Sequence, residues 1–318
     1  MMRSNESAIQ SFAGAQPMSQ AERTYVILRE LVDLPTAGRV LEAGAGKGDF
    51  LGHFKTGLPE WSISAFEPSE AYEVLARNFT AEVTSRCDYQ EFATEGHMYD
   101  LIVALGVLEH VENPLDMLRW GHSLLVEGGV FYIRVPHFAN NPNDLFCADH
   151  LSKLTEETLH NLATTAGYEV VGSKEAGVPI FIALRKARVP TEVSSSAFEK
   201  NRTVLDKNTL LARNMIDAIL KARESAAKNG ERFAIFGLGS AGLFAPLFAP
   251  FPAEEITAYI DENRSIWGSQ IHGRPVGGLD MITSMGIKHI ALAISPVYSK
   301  QVSAKLEPFG VKIYSAAD

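Results

Sequence analysis

Cysteine is scarce: Cys87 and Cys147 are the only two in 318 residues. They stand far apart and form no C-x-x-C pair, which excludes a disulfide scaffold and gives no metal-site pattern, so no metal is expected. Basic residues are in the minority, 29 Lys and Arg against 38 Asp and Glu, for a formal charge of −9. No Lys/Arg cluster or aromatic–basic stripe offsets that balance, so nucleic acid held by counterion release is disfavoured as a partner. No uninterrupted apolar run approaches the length that spans a bilayer, and residues 1–20, rich in Ser, Gln, Ala and Asn, lack the apolar core of a secretion signal. These absences point to a cytoplasmic protein with a flexible tail over residues 1–20 and no membrane partner.

What is present is an alternating rhythm. Apolar spacing is helical from Ala21 to Leu34, and strands then alternate with helices: strands at 39–43, 62–66, 101–104 and 129–136, helices from Asp49, from Ser69 and at 114–125. A helix behind a Thr155 cap and an antiparallel hairpin, 169–173 with 179–184, close the series. This reads as an α/β, doubly wound Rossmann-like sheet over 21–190. A linker and long helix follow at 191–230, and a smaller α/β half-Rossmann domain at 231–318.

The first strand runs into Val40-Leu41-Glu42-Ala43-Gly44-Ala45-Gly46-Lys47-Gly48. An apolar strand ending in an acid and three alternate glycines lets the backbone turn tightly and approach a ligand with no Cβ in the way. The spacing is G-x-G-x-G, not the G-x-G-x-x-G of a dinucleotide loop. A second strand, Ser62-Ile63-Ser64-Ala65-Phe66, ends at Glu67-Pro68, where a ribose diol would need an acceptor. Arg86-Cys87-Asp88-Tyr89 follows, and then Tyr99-Asp100-Leu101-Ile102-Val103-Ala104-Leu105-Gly106-Val107-Leu108-Glu109-His110. In this order and spacing the four segments resemble class I S-adenosylmethionine-dependent methyltransferases. The resemblance implies S-adenosylmethionine as cofactor. The loop of Gly44, Gly46 and Gly48 would lie under its methionine part and Glu42 would help hold the amino group. Glu67 and Pro68 would take the ribose, Asp88 and Tyr89 the adenine, with Leu105 and Gly106 completing the cradle. Read singly, Glu67 is also compatible with a solvated strand end, Asp88 with a turn residue and Glu109-His110 with a helix cap.

Beyond 231, Gly237-Leu238-Gly239-Ser240-Ala241-Gly242 has true G-x-G-x-x-G spacing after a strand, and a second strand ends at Asp261. The unit is half of a full dinucleotide fold, so a contact to a nucleotide sugar or a purely structural half-fold is preferred over NAD. Ala258-Tyr259-Ile260-Asp261-Glu262-Asn263 with Ile271-His272-Gly273-Arg274-Pro275-Val276 resembles the C-terminal domain of sugar C-methyltransferases. By that resemblance the acceptor is a sugar or nucleotide sugar, with Gly237, Gly239 and Asp261 as weak contacts.

Methyl transfer needs an in-line nucleophile and a proton acceptor. The polar stretch 140–152 holds Asp149-His150, which resembles the Glu-His pair of the sugar C-methyltransferases. An imidazole can take a proton near neutral pH and a neighbouring carboxylate can orient it. Cys147 stands where that family has tyrosine, and the family's preceding zinc domain has no counterpart here. The alternative is that Asp149 caps a turn and His150 packs. His110 and His137 are the reserve bases, and Asn141 a further weak acceptor contact. An O- or N-methyltransferase of another small molecule, and a non-enzymatic cofactor-binding regulator, remain as alternatives, and the oligomeric state stays open.

Overall fold

The structure, a computed structural model, describes residues 18–79, 83–92, 96, 98–187 and 197–317. Most of the expected tail and the expected boundary near 190 lie outside the described residues. The chain divides into two compact units: Met1–His137 with Leu151–Ala197, and Phe138–His150 with Phe198–Asp318.

The first unit runs α1 (Gln20–Leu31), β1 (Arg39–Ala43), α2 (Asp49–Gly57), β2 (Ser62–Phe66), α3 (Tyr72–Asn78), β3 (Val83–Ser85), β4 (Tyr99–Leu105), α4 (Pro114–Leu124), β5 (Leu125–Pro136), α5 (Glu156–Thr165), β6 (Tyr168–Glu175) and β7 (Pro179–Lys186). Its seven strands are ordered β3-β2-β1-β4-β5-β7-β6, parallel through β5 and antiparallel where β7 inserts between β5 and β6. Both faces of the sheet are covered, so the central strands are largely apolar, with charged residues confined to positions near their ends. Along β4, Leu101 and Val103 pack with Ile27, Leu28, Phe50 and Phe54 of α1 and α2. Ile102 and Ala104 pack with Met117, Leu118 and Leu159 of α4 and α5 on the other side. Two buried phenols fasten helices to the sheet: Tyr132 donates to the Thr24 carbonyl at 3.0 Å and Tyr168 to the Leu118 carbonyl at 2.8 Å. The expected Thr155 cap is present, its Oγ1 accepting from the Thr158 N–H at 3.2 Å.

The second unit contains α6 (Ala197–Asn229), β8 (Arg232–Phe236), α7 (Ser240–Phe244), β9 (Ala258–Ile260), β10 (Gln270–Ile271), β11 (Arg274–Gly277), α8 (Asp280–Ser284), β12 (Ile287–Leu292), α9 (Ser299–Leu306) and β13 (Lys312–Tyr314). The six strands are ordered β10-β11-β9-β8-β12-β13. All neighbours are parallel except the β10–β11 pair. The sequence set α6 apart as linker, but the helix belongs to this core. Asn208, Ala212, Met215, Ile219, Ala222 and Ala226 recur every three or four residues and are buried, and the stripe from Met215 onward packs with Phe233, Ile235 and Tyr259. Small alanines let the helix lie close to the sheet.

Residues 138–150 are the second departure. They were assigned to the first domain, but they fold with the second as two short 3-10 turns, Phe138–Asn140 and Pro142–Phe146. Ser240 Oγ, opening α7, donates to the Asn143 carbonyl at 3.1 Å, and Ser295 Oγ, just beyond β12, donates to the Asn140 carbonyl at 2.7 Å. Asn208 Nδ2 donates to the Phe138 carbonyl, and Phe146 meets the Phe248 ring at 6.2 Å between centroids. The segment therefore lies at the carboxyl ends of the adjacent strands β8 and β12. Among the described residues no helix is long and apolar enough to cross a membrane.

Candidate active site

In the first unit the expected cofactor residues converge at the carboxyl ends of β1, β2 and β4. Glu42 stands next to last in β1 and is 2% exposed. Gly44, Gly46 and Gly48 all take positive φ, 68°, 57° and 86°, which explains the residue type. Their surroundings separate their roles. A Cβ on Gly44 would lie 2.7 Å from Val107 Cγ2, and one on Gly48 would lie 2.5 Å from Phe79 Cε2. A Cβ on Gly46 would have no heavy atom within 4 Å. The outer glycines thus allow the loop to pack, while the middle one faces open space.

Glu67 holds this loop in place. Its Oε2 accepts from the Gly46 N–H at 2.8 Å and its Oε1 from the Ser69 N–H at 2.9 Å, with Pro68, which has no N–H, between. The carboxylate is 4% exposed, so it is a built acceptor and not a solvated strand end. Asp88 is exposed, and its Oδ1 accepts from the N–H groups of Gln90 and Glu91 at 2.8 and 3.1 Å. It serves the turn that presents Tyr89, whose ring meets Trp120 edge-on at 5.7 Å. Leu105 ends β4, and Gly106 turns with φ 72° while its N–H donates to the Arg134 carbonyl at 2.8 Å.

Around Gly106 stand Glu109, which the sequence offered as part of a helix-cap pair, and two groups outside its candidates, Arg134 and Gln20. A Cβ there would lie 3.5 Å from Arg134 Nη2 and 3.6 Å from Glu109 Oε1, and Glu109 is buried. Gln20, at the start of α1, accepts from Arg134 when its amide is oriented to satisfy both groups. Arg134 was read as an ordinary strand residue. Its position at the carboxyl end of a central strand was the available signal.

His110 follows Glu109 in the turn after β4, its N–H on the Val107 carbonyl at 2.9 Å. His137 is buried beyond β5, with Nδ1 3.0 Å from Glu175 Oε1. Burial pushes its pKa below the usual histidine value despite the opposing pull of Glu175 and Glu156.

The Asp149-His150 pair lies in the second unit. The carboxylate on its imidazole is Asp144, not singled out from the sequence: His150 Nδ1 and Asp144 Oδ1 are 2.5 Å apart, and Asp144 is 2% exposed. Burial disfavours the charged ring, but hydrogen bonds to Asp144 and Cys147 prevail and the His150 pKa is pushed up to about 10. Asp149 is exposed, its Oδ1 accepting from Cys147 Sγ at 3.3 Å. Asn141 is buried in the same segment, and its carbonyl accepts from the Asp144 N–H at 3.2 Å.

The second glycine loop has the local geometry of its motif. Gly237 turns with φ 98°, a Cβ on Gly242 would meet the Gly237 carbonyl oxygen at 1.8 Å, and Gly239 faces open space. Asp261 Oδ2 accepts from the Leu238 N–H and Oδ1 from the Asn263 N–H, each at 2.7 Å. The device repeats that of Glu67. Here the hydroxyl at the helix start is engaged by the chain's own Asn143 carbonyl.

Residues 20–173, just under half of the chain, match the family model described as a methyltransferase domain. No curated protein matches the sequence. Among solved structures, the chain is similar to the plantazolicin methyltransferase BpumL in complex with SAH, at 17% identity over 47% of this chain and 76% of that one, TM-score 0.42. It is similar to an O-methyltransferase family protein from Burkholderia thailandensis at 12% identity, over 53% and 57% of the two chains, TM-score 0.44. A third likeness is to an S-adenosylmethionine-dependent methyltransferase from Mesorhizobium loti, at 16% identity over 51% and 96%, TM-score 0.44.

Proposed function

We propose that this chain, whose residues 20–173 match the methyltransferase-domain family model, transfers the methyl group of S-adenosylmethionine to a hydroxylated small molecule, a sugar or nucleotide sugar. One observation carries the cofactor assignment. Of the three left-handed glycines in the loop after β1, Gly46 is the one that faces open space, and its N–H is clamped by the buried Glu67 at the next strand end. A ribose diol can donate to that carboxylate, and the methionine part can lie over the bare glycine.

The sulfonium is already activated, so the protein's task is to hold an acceptor atom in line with the methyl carbon. The acceptor's lone pair forms the new bond to carbon, the carbon–sulfur pair returns to sulfur as a thioether, and the acceptor's proton leaves to a base. Arg134, Glu109 and Gln20 near Gly106 supply a charged and hydrogen-bonding lining. Such a lining suits a polyol or an anionic nucleotide sugar better than an apolar acceptor. The sugar assignment also draws on the resemblance of residues 258–276 to the sugar C-methyltransferases.

The full chain incubated with methyl-labelled S-adenosylmethionine and a panel of nucleoside diphosphate sugars, free sugars, phenols, amines and short peptides tests both parts. The expected result is label in a sugar product together with S-adenosylhomocysteine. Label only in a phenol, amine or peptide would overturn the acceptor class, and absence of S-adenosylhomocysteine binding by calorimetry would overturn methyl transfer.

A further inference from the structure

The turn 147–150 brings together three side chains that the methyl-transfer reading leaves unexplained. Cys147 Sγ, a carboxylate oxygen of Asp149 and a ring nitrogen of His150 all lie within 4.8 Å of one another. We propose that they form a binding site for a borderline-soft divalent metal ion, zinc in the first place. The inference is independent of the methyl-transfer assignment.

The donor set decides the metal class. Magnesium and calcium select all-oxygen sites, whereas thiolate, imidazole and carboxylate together suit zinc and its neighbours. Three protein ligands leave a fourth tetrahedral position for water or another small ligand. The surrounding shell supports the assignment. Metal-binding imidazoles generally place their second nitrogen on a carboxylate, which fixes the ring and raises its basicity. His150 Nδ1 is on Asp144 at 2.5 Å, and Asp144 is 2% exposed, so the ring already has the buried carboxylate partner that such imidazoles carry.

The backbone beneath is held in steps: Cys147 N–H donates to the Asp144 carbonyl at 3.1 Å, and His150 N–H to the Cys147 carbonyl at 3.3 Å. Ser240 and Ser295 anchor the preceding turns through Asn143 and Asn140. The ligands thus sit on a fastened segment whose ordering is already provided by the fold. Linear spacing hides the site, because Cys-x-Asp-His matches none of the paired-cysteine patterns.

The test uses the full chain after chelator treatment, titrated with cobalt(II) as the spectroscopic probe and then with zinc(II). One equivalent of cobalt should produce a thiolate-to-metal charge-transfer band, and zinc should abolish it by displacement. The band should be lost in Cys147→Ser and kept in Cys87→Ser. His150→Ala and Asp149→Asn should weaken binding, and Asp144→Asn should weaken it ~10–100-fold through the imidazole's orientation. Circular dichroism checks that each variant is folded. If Cys147→Ser does not fold, residue-resolved alkylation of the wild-type chain reads the same point, since zinc should slow modification of Cys147 and leave Cys87 unchanged. A missing thiolate band, a band that persists in Cys147→Ser or follows Cys87, or alkylation of Cys147 indifferent to zinc would each overturn the proposal.

Discussion

Replacing Glu67 with glutamine tests the cofactor cradle at the point where loop geometry and ligand recognition meet. The wild-type carboxylate accepts two backbone N–H bonds, from Gly46 at 2.8 Å and Ser69 at 2.9 Å, while 4% exposed. Glutamine keeps one carbonyl oxygen and turns an NH2 toward the other donor. One charge-assisted bond is lost, and such bonds are worth about 1.5–3 kcal/mol. For a unit of this size each kcal/mol moves Tm by about 2–4 °C, so Glu67→Gln should lower it by ~3–12 °C. The ribose would lose a charged acceptor as well, which by the same range costs ~10–150-fold in Kd at 1.4 kcal/mol per tenfold. Calorimetry with S-adenosylhomocysteine and differential scanning fluorimetry measure the two effects separately. Unchanged affinity would refute the ribose role. A Tm within about 1 °C of wild type would refute the clamp, even if affinity fell.

Gly46→Ala and Gly48→Ala both place a side chain at positive φ, at a cost of about 1–2 kcal/mol. Only Gly48→Ala also drives a Cβ into Phe79, so it should lower Tm more, whereas Gly46→Ala should cost more in cofactor affinity; the reverse ranking on the same two assays would refute the division of roles. His137 is held below its unfolded pKa by burial, so the unfolded chain binds more protons near pH 6 and stability rises with pH there. Thermal stability should therefore fall as pH drops below about 6.5, and His137→Gln should flatten that slope; equal slopes would refute the account. A chain ending at Lys186 should still bind S-adenosylhomocysteine, but residues 138–150 would lose Asn208, Ser240 and Ser295 and become the first site of proteolysis. Protection of that segment in the truncated chain would refute its assignment to the second unit.

The first unit was legible because its signals are local. Strand β1 occupies the expected residues 39–43, the hairpin of β6 and β7 falls where expected, and Thr155 caps α5 through a bond three residues away. Glycine spacing and the acid at the next strand end located the left-handed loop and the carboxylate that clamps it, since both are fixed by backbone geometry within one βαβ step. What escaped was set by folding back. His150 was paired with its sequence neighbour Asp149, but the carboxylate in hydrogen-bond contact with the ring is Asp144, six residues earlier, brought back to it by the turn. Arg134 is a single charge closing the apolar run 130–133 of β5 and gave no periodic signal of its own. The membership of 138–150 depends on bonds to residues 208, 240 and 295, a separation no local pattern encodes.

That separation has a consequence for synthesis. The Asn140 carbonyl leaves the ribosome 155 residues ahead of the serine that will bind it. At about 5–20 residues per second the wait is roughly 8–30 s. In that interval the first unit's sheet can close through β7, because Lys186 emerges long before Ser295. The early product is then a finished sheet carrying a projecting loop, with Phe138 and Phe146 not yet packed and the turn that holds Cys147 and His150 not yet fastened. Assembly of the second unit must capture that loop from a partner already folded. This makes the late step a docking event with high contact order, slow relative to the first and open to nascent-chain chaperones at one identifiable stretch of sequence.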